Sequence, residues 1–144
     1  MTPDAIKIAR NMIISHEGFC GEMYRDSFGF NTIGYGHCLD YRPISKQAAQ
    51  VILDDDLKWF IKSLERSFPP FNHLNDVRQA VILDMAFNLG MLGISKFHNM
   101  WYALNHKDYE KAADEMLHSK WAKQVGQRAE DNARLMRSGK IWDD

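Results

Sequence analysis

The stretch HEGFCGEMYRDSFGFNTIGYGH, residues 16–37, constrains this chain most, because it forces a change from helix to strand within a few residues. Ahead of it, Thr2, Pro3 and Asp4 make a helix start: a capping hydroxyl, a fixed φ at the first helical position, and an acid at the positive end of the dipole. Ala5, Ile8, Ala9, Met12, Ile13 and His16 then recur at helical spacing, and Gly18 is the natural stop. Glu22 to Asp26 is a short run closed by the polar turn Ser27-Phe28-Gly29. Phe30 to Tyr35 is aromatic and β-branched, which predicts a returning strand. The expected unit is a small antiparallel hairpin with Asp26 at its first corner and Thr32 on the return. Gly34 and Gly36 mark a bulge or a sharp bend.

That frame sets two carboxyl groups in different surroundings. Glycoside hydrolysis needs such a pair, one neutral to give a proton and one charged to direct water. Glu17 falls in the last turn of the helix, where the peptide dipoles disfavour a negative charge and Phe19 can exclude water. Those conditions suit a general acid. The hairpin can hold Asp26 and Thr32 close enough to share one water molecule. Each residue also has a plain alternative: a frayed helix end for Glu17, a strand residue for Thr32, simple turns for the glycines.

The 144 residues are 45% hydrophobic and 26% charged, as in an ordinary globular protein of one domain or two small lobes. A net charge of −1 and the lack of a basic stripe argue against nucleic acid as a partner. No signal peptide is visible. The apolar run Ala80–Ile94 carries Asp84 and Asn88 and is too short to span a bilayer, so it reads as a buried helix and no membrane insertion is expected. Cys20 and Cys38 read as reduced thiols, with a disulfide left open for an oxidising compartment. His16, Cys20, His37 and Cys38 could be drawn around zinc. However, adjacent His37 and Cys38 would face opposite sides of a strand, and no ligand spacing supports the site, so neither metal nor cofactor is expected.

The remainder reads as helices. Tyr41-Arg42-Pro43 is a break, and Ser45 caps a helix through about Leu64 with Ala48, Ile52, Leu57 and Phe60 on its apolar positions. Pro69-Pro70 ends that segment. A helix from Asn75 or Asp76 carries Val77, Ala80, Val81, Met85 and Leu89 and stops at Gly90. Shorter helices are expected over 96–105, 109–119 and 127–137. The fold class is α+β, mostly helical.

The spacing E-x8-D-x5-T followed by Ile33-Gly34-Tyr35-Gly36-His37 resembles the phage-type lysozymes, or endolysins. Ser45-Lys46, Arg78 to Gly90 (RQAVILDMAFNLG), Phe97, Ser119-Lys120-Trp121, Arg128 and Gly139-Lys140-Ile141-Trp142 follow in the family's order, so the likeness covers nearly the whole chain. It implies a two-lobed lysozyme-like fold: a small β-hairpin lobe over about 16–44, a long connecting helix over 45–68, and a helical lobe of 69–144 joined by helix 3–16. It implies Glu17 as general acid and Asp26, helped by Thr32, as the group that positions water. The bond is the β-1,4 link between N-acetylmuramic acid and N-acetylglucosamine, cleaved with inversion.

Phe87, Asn88 and Arg128 fall where the family binds substrate, and His37 where it pairs structurally with an acid, here Asp56. Phe87 reads equally as core, Arg128 has the lesser alternative of a solvated helix charge, and Trp101, Trp121 and Trp142 could stack on sugars, although aromatic residues at helical spacing more often fill the core. Bacterial peptidoglycan is the implied partner. The implied setting is a monomer made in host cytoplasm and released by a holin to the wall in the periplasm. Cys38, Met100, Glu115, Asn132 and a short segment from His37 to Ser45 depart from the family pattern. Two readings compete with a muramidase: a lytic transglycosylase, which needs one glutamate and leaves 1,6-anhydro ends, and a non-catalytic wall-binding module.

Overall fold

The computed structural model describes residues 1–141, which fall into two compact units, the first running from Met1 to Val51 and the second beginning at Ile52. In the first unit α1 spans Pro3–Glu17. The Thr2 hydroxyl accepts the Ala5 amide at 3.1 Å, Pro3 opens the helix, and Gly18 ends it at φ 69°. Three antiparallel strands follow in the order β1 (Cys20–Arg25), β2 (Asn31–Gly34), β3 (His37–Cys38). The expected hairpin is therefore the first two strands of a meander. The third has only two residues, too few to carry an alternating pattern.

Register puts Tyr24 and Cys38 on either side of Thr32, and Cys20 opposite Gly34. Cys20 and Cys38 thus lie on strands separated by β2, about 10 Å apart at two strand spacings. A disulfide spans Cα atoms only about 4.4–6.8 Å apart, so the open possibility of a bridge closes. Among the described residues no three His, Cys, Asp or Glu side chains group as metal ligands would.

The helix α2 spans Lys46–Ser67, with the Ser45 hydroxyl accepting the Ala48 amide at 3.1 Å. It runs past Leu64 because no breaker intervenes until Phe68, which precedes a proline and cannot remain helical. A 3-10 turn over Pro69–His73 leads into α3 (Asp76–Ser95), α4 (His98–Asn105), α5 (Tyr109–Leu117), α6 (Lys120–Val125) and α7 (Gln127–Ser138). Leu64, Ile82, Met85, Ile94, Met100, Met116 and Met136 are wholly buried and fill the centre of the second unit. Trp101 and Trp121 join them, with Trp101 stacked flat on Phe68 at 4.1 Å; Trp142 lies outside the described residues.

Two helical expectations change. Gly90 does leave the helical region (φ 77°, ψ 165°), but the helix resumes through Ser95, where burial of Ile94 draws the chain back onto the core. Counted whole, α3 is long and apolar enough to cross a bilayer by length and composition, unlike the shorter stretch read from sequence. The helix α6 was not expected, since six residues are too few to show a helical period.

The start of α3 also closes the end of α7. Helix C-termini leave carbonyls without partners. Arg78 supplies them, donating from Nε to the Met136 carbonyl at 2.7 Å and from Nη2 to the Arg137 carbonyl at 2.8 Å. Its guanidinium lies 3.6 Å over the Tyr109 ring, and Asn75 donates to the Gly139 carbonyl at 3.0 Å. Gly139 is left-handed (φ 65°) and buried beneath this clasp; a Cβ there would stand 2.7 Å from Arg78 Nη1. Gly139→Ala should therefore lower stability by at least about 1 kcal/mol, from the strained φ and the clash together. Arg78→Met should cost about 2 kcal/mol by removing charge-assisted bonds to part-buried carbonyls. Urea unfolding midpoints check both; unchanged midpoints would contradict the clasp.

Candidate active site

Glu17 is the last residue of α1, and its carboxyl packs against the backbone of Gly36. A Cβ at position 36 would lie 2.9 Å from both Cδ and Oε2 of Glu17, and φ there is +73°. Gly36 is thus more than a bend: nothing larger admits the acid. The expected shielding by Phe19 is absent. Gly18 turns the chain away, leaving Phe19 72% exposed against Tyr35 with ring centroids 5.6 Å apart, and Glu17 itself is exposed.

The other carboxylate sits where β1 ends. Asp26 Oδ1 accepts two backbone amides, from Phe28 and Phe30, both at 2.9 Å. The Asp26 amide donates in turn to the Phe30 carbonyl at 2.9 Å. That same carbonyl accepts the hydroxyl proton of Thr32, also at 2.9 Å. One oxygen atom therefore holds both Asp26 and Thr32 in place. Thr32 is only 3% exposed, and Oδ2 of Asp26 has no protein partner among the described residues. The sequence SFGF between the two residues explains the geometry. Gly29 takes φ 83° and donates to the Asp26 carbonyl, so the turn brings Phe30 back over the acid.

His37 opens β3, with Nε2 3.0 Å from the Arg42 carbonyl, closing the loop that follows. Asp56 is exposed on the part of α2 that belongs to the second unit. Asp40 pins the same loop to β2, accepting the Asn31 amide at 2.7 Å and its side-chain amide at 3.2 Å.

In the second unit Asp84, Phe87 and Asn88 share one face of α3 at i, i+3 and i+4. Phe87 is 42% exposed, its ring 5.7 Å from that of Phe60. Asn88 accepts the Trp121 indole N–H at 2.8 Å. Trp121 lines an open cavity of about 510 Å³ together with Phe97, Met100 and Glu115. Arg128 grips Asp84: Nε donates to Oδ2 at 3.0 Å, and Nη2 to Oδ1 at 2.8 Å and to the main-chain oxygen at 3.2 Å. Asn132, four residues on, donates to Oδ2 at 2.8 Å. Sequence reading found Arg128 but took Asp84 only as an interruption of an apolar run. The signal was there, an acid that an apolar helix can carry only with a partner.

The Arg128 hydrogen bond holds the Asp84 carboxyl below its ordinary value of 3.8, with Asn132 adding to it and partial burial opposing. Asp84 raises Arg128 in return. Because the folded value is depressed, this stabilisation is fully present above about pH 4, where the unfolded carboxyl is ionised, and is lost as pH falls through the folded value. Both side chains are about two-fifths exposed, 42% and 38%, so screening limits it to about 1 kcal/mol or less. Asp84→Asn should therefore be less stable than the parent near pH 6, the gap narrowing as pH falls below about 4. Thermal melts across that range check this; a pH-independent gap would contradict it.

Comparison with known proteins agrees with the fold. Residues 14–137 match the phage lysozyme family. Over 158 positions the chain is 27% identical to the "Pre-baseplate central spike protein Gp5" of Enterobacteria phage T4, covering 90% of the chain but 28% of that longer protein. It is 24% identical over 162 positions to "Probable T4-type lysozyme 1" of Dictyostelium discoideum, covering 92% of the chain and 95% of the relative. A second lysozyme of that organism, "Probable T4-type lysozyme 2", is 25% identical, covering 83% and 88%. Matched from within α1 to the end of α7, the chain belongs to the phage lysozyme family and is a glycoside hydrolase of the lysozyme type.

Proposed function

We propose that the chain is a muramidase that hydrolyses the β-1,4 bond between N-acetylmuramic acid and N-acetylglucosamine of peptidoglycan, with inversion, in bacterial lysis. The observation that carries this reading is the pair of bonds on the Phe30 carbonyl, to the Asp26 amide and the Thr32 hydroxyl. Because the Thr32 proton is committed to that carbonyl, its oxygen presents lone pairs. Oδ2 of Asp26 does the same, with Oδ1 occupied by two amides. Two acceptors tied to the same carbonyl suit one water that donates a proton to each and turns its own lone pair toward the sugar. Glu17 protonates the leaving oxygen, water adds to the anomeric carbon, and its proton passes to Asp26. Phe87, Asn88 and Arg128 bind the glycan and its peptide stems. A lytic transglycosylase has no use for a water-holding pair, so the Asp26–Thr32 arrangement favours hydrolysis.

The test uses purified Gram-negative peptidoglycan with the intact protein and with Glu17→Gln, the soluble products identified by mass. Hydrated muropeptides with free reducing ends, absent with the variant, are expected. Anhydro products would move the chain to the transglycosylases, and wall sedimentation without products would make it a binding module. Gly36→Ala should keep the fold yet lower turnover about 100-fold, by pushing the Glu17 carboxyl from its seat. A near-normal rate in that variant, with its circular dichroism unchanged, would contradict the placement of the acid.

A further inference from the structure

We infer that Asp84 is a positioning residue for substrate binding: it fixes Arg128 so that the free edge of the guanidinium points in one direction, toward an anionic group of the substrate. This rests on the reading of the chain as a peptidoglycan-binding enzyme, because the peptide stems of that polymer carry carboxylates.

A guanidinium carries five N–H groups in a planar fork. Asp84 engages Nε and Nη2 through three acceptors, which fixes the plane, while Nη1 has no partner among the described residues. Asp84 is itself held from behind by a buried side chain. Asn132 is 7% exposed and spends its side-chain amide on Asp84, whereas the Arg128 side chain is 38% exposed. A brace between α3 and α7 needs the ion pair but has no use for an unspent edge. An anion-reading arginine needs both. An edge held in advance is also the arrangement that recognises a carboxylate with least loss of side-chain freedom. Phe87 and Asn88 lie on the same face of α3 as Asp84, so the acid belongs to the surface that presents the other substrate-binding residues.

The test is a double-variant cycle in wall binding. In a Glu17→Gln background, sedimentation with purified Gram-negative peptidoglycan gives dissociation constants for the parent, Asp84→Asn, Arg128→Gln and the double variant. Each single change should weaken binding about tenfold, the scale of a lost charge-assisted contact, and the double variant should be no weaker than Arg128→Gln alone. Asp84→Glu, which keeps the carboxylate, should recover most of the affinity. Additive losses would show that Asp84 acts independently of Arg128. A lowered melting temperature with unchanged affinity would reduce the pair to a brace. Either result overturns the inference. If the intact protein yields no muropeptides yet the binding cycle is non-additive, the hydrolase reading fails and the role of Asp84 stands. If no form binds the wall, both fall.

Discussion

One carbonyl oxygen, that of Phe30, organises the corner of the first unit that holds Asp26 and Thr32. It accepts the amide of Asp26 and the hydroxyl of Thr32 at the same distance, 2.9 Å, while the Phe30 amide returns a bond to the Asp26 carboxylate. Hydrogen bonds of this kind add little net stability individually, because water would satisfy the same groups in the unfolded chain. Their value lies in direction. They leave one carboxylate oxygen and the hydroxyl lone pairs as the groups still able to hold something. Around this corner the short strands supply register and the glycines supply approach. Gly29 folds the turn over the acid, and Gly36 leaves room for Glu17.

The second unit repeats the device with side chains in place of backbone. The polar residues on one face of α3 each hold a residue from later in the chain: Asp84 holds Arg128 and Asn132, and Asn88 holds the Trp121 indole. The same helix buries Ile82, Met85 and Ala86 on the rest of its surface. A single helix can therefore be both the centre of the core and the template for a polar surface. This explains why its pattern looks nearly uniformly apolar in sequence. Its first residues, Asn75 and Arg78, do similar work at the far end of α7, so α3 and α7 are tied at both ends by hydrogen bonds to side chains or carbonyls.

Much of this was legible beforehand. The cap at Thr2, the stop at Gly18, the corner at Asp26, and the starts at Ser45 and Asn75 are local rules, and the chain obeys them locally. The E-x8-D-x5-T spacing led to the family because residues fixed on short strands and turns leave little freedom in chain length between them. What escaped depends on contacts distant in sequence or on elements too short to show a period. The strand β3 and helix α6 belong to the second kind. The partnership of Asp84 with Arg128, forty-four residues away, belongs to the first, as does the seat of Glu17 on Gly36. The misjudged shield at Phe19 shows a related limit: proximity in sequence says little about direction once a glycine with positive φ intervenes.

The central claim is that Asp26 and Thr32 hold water instead of the carboxylate attacking the sugar itself. It is tested most directly by proton NMR of the newly freed N-acetylmuramic acid end during the first moments of hydrolysis. Water delivered to the face opposite the leaving group gives the α-anomer first, with the β-anomer growing in only by mutarotation. That is the result the account predicts. A first-formed β-anomer would mean two successive displacements through a covalent intermediate, and would contradict the role assigned to Asp26.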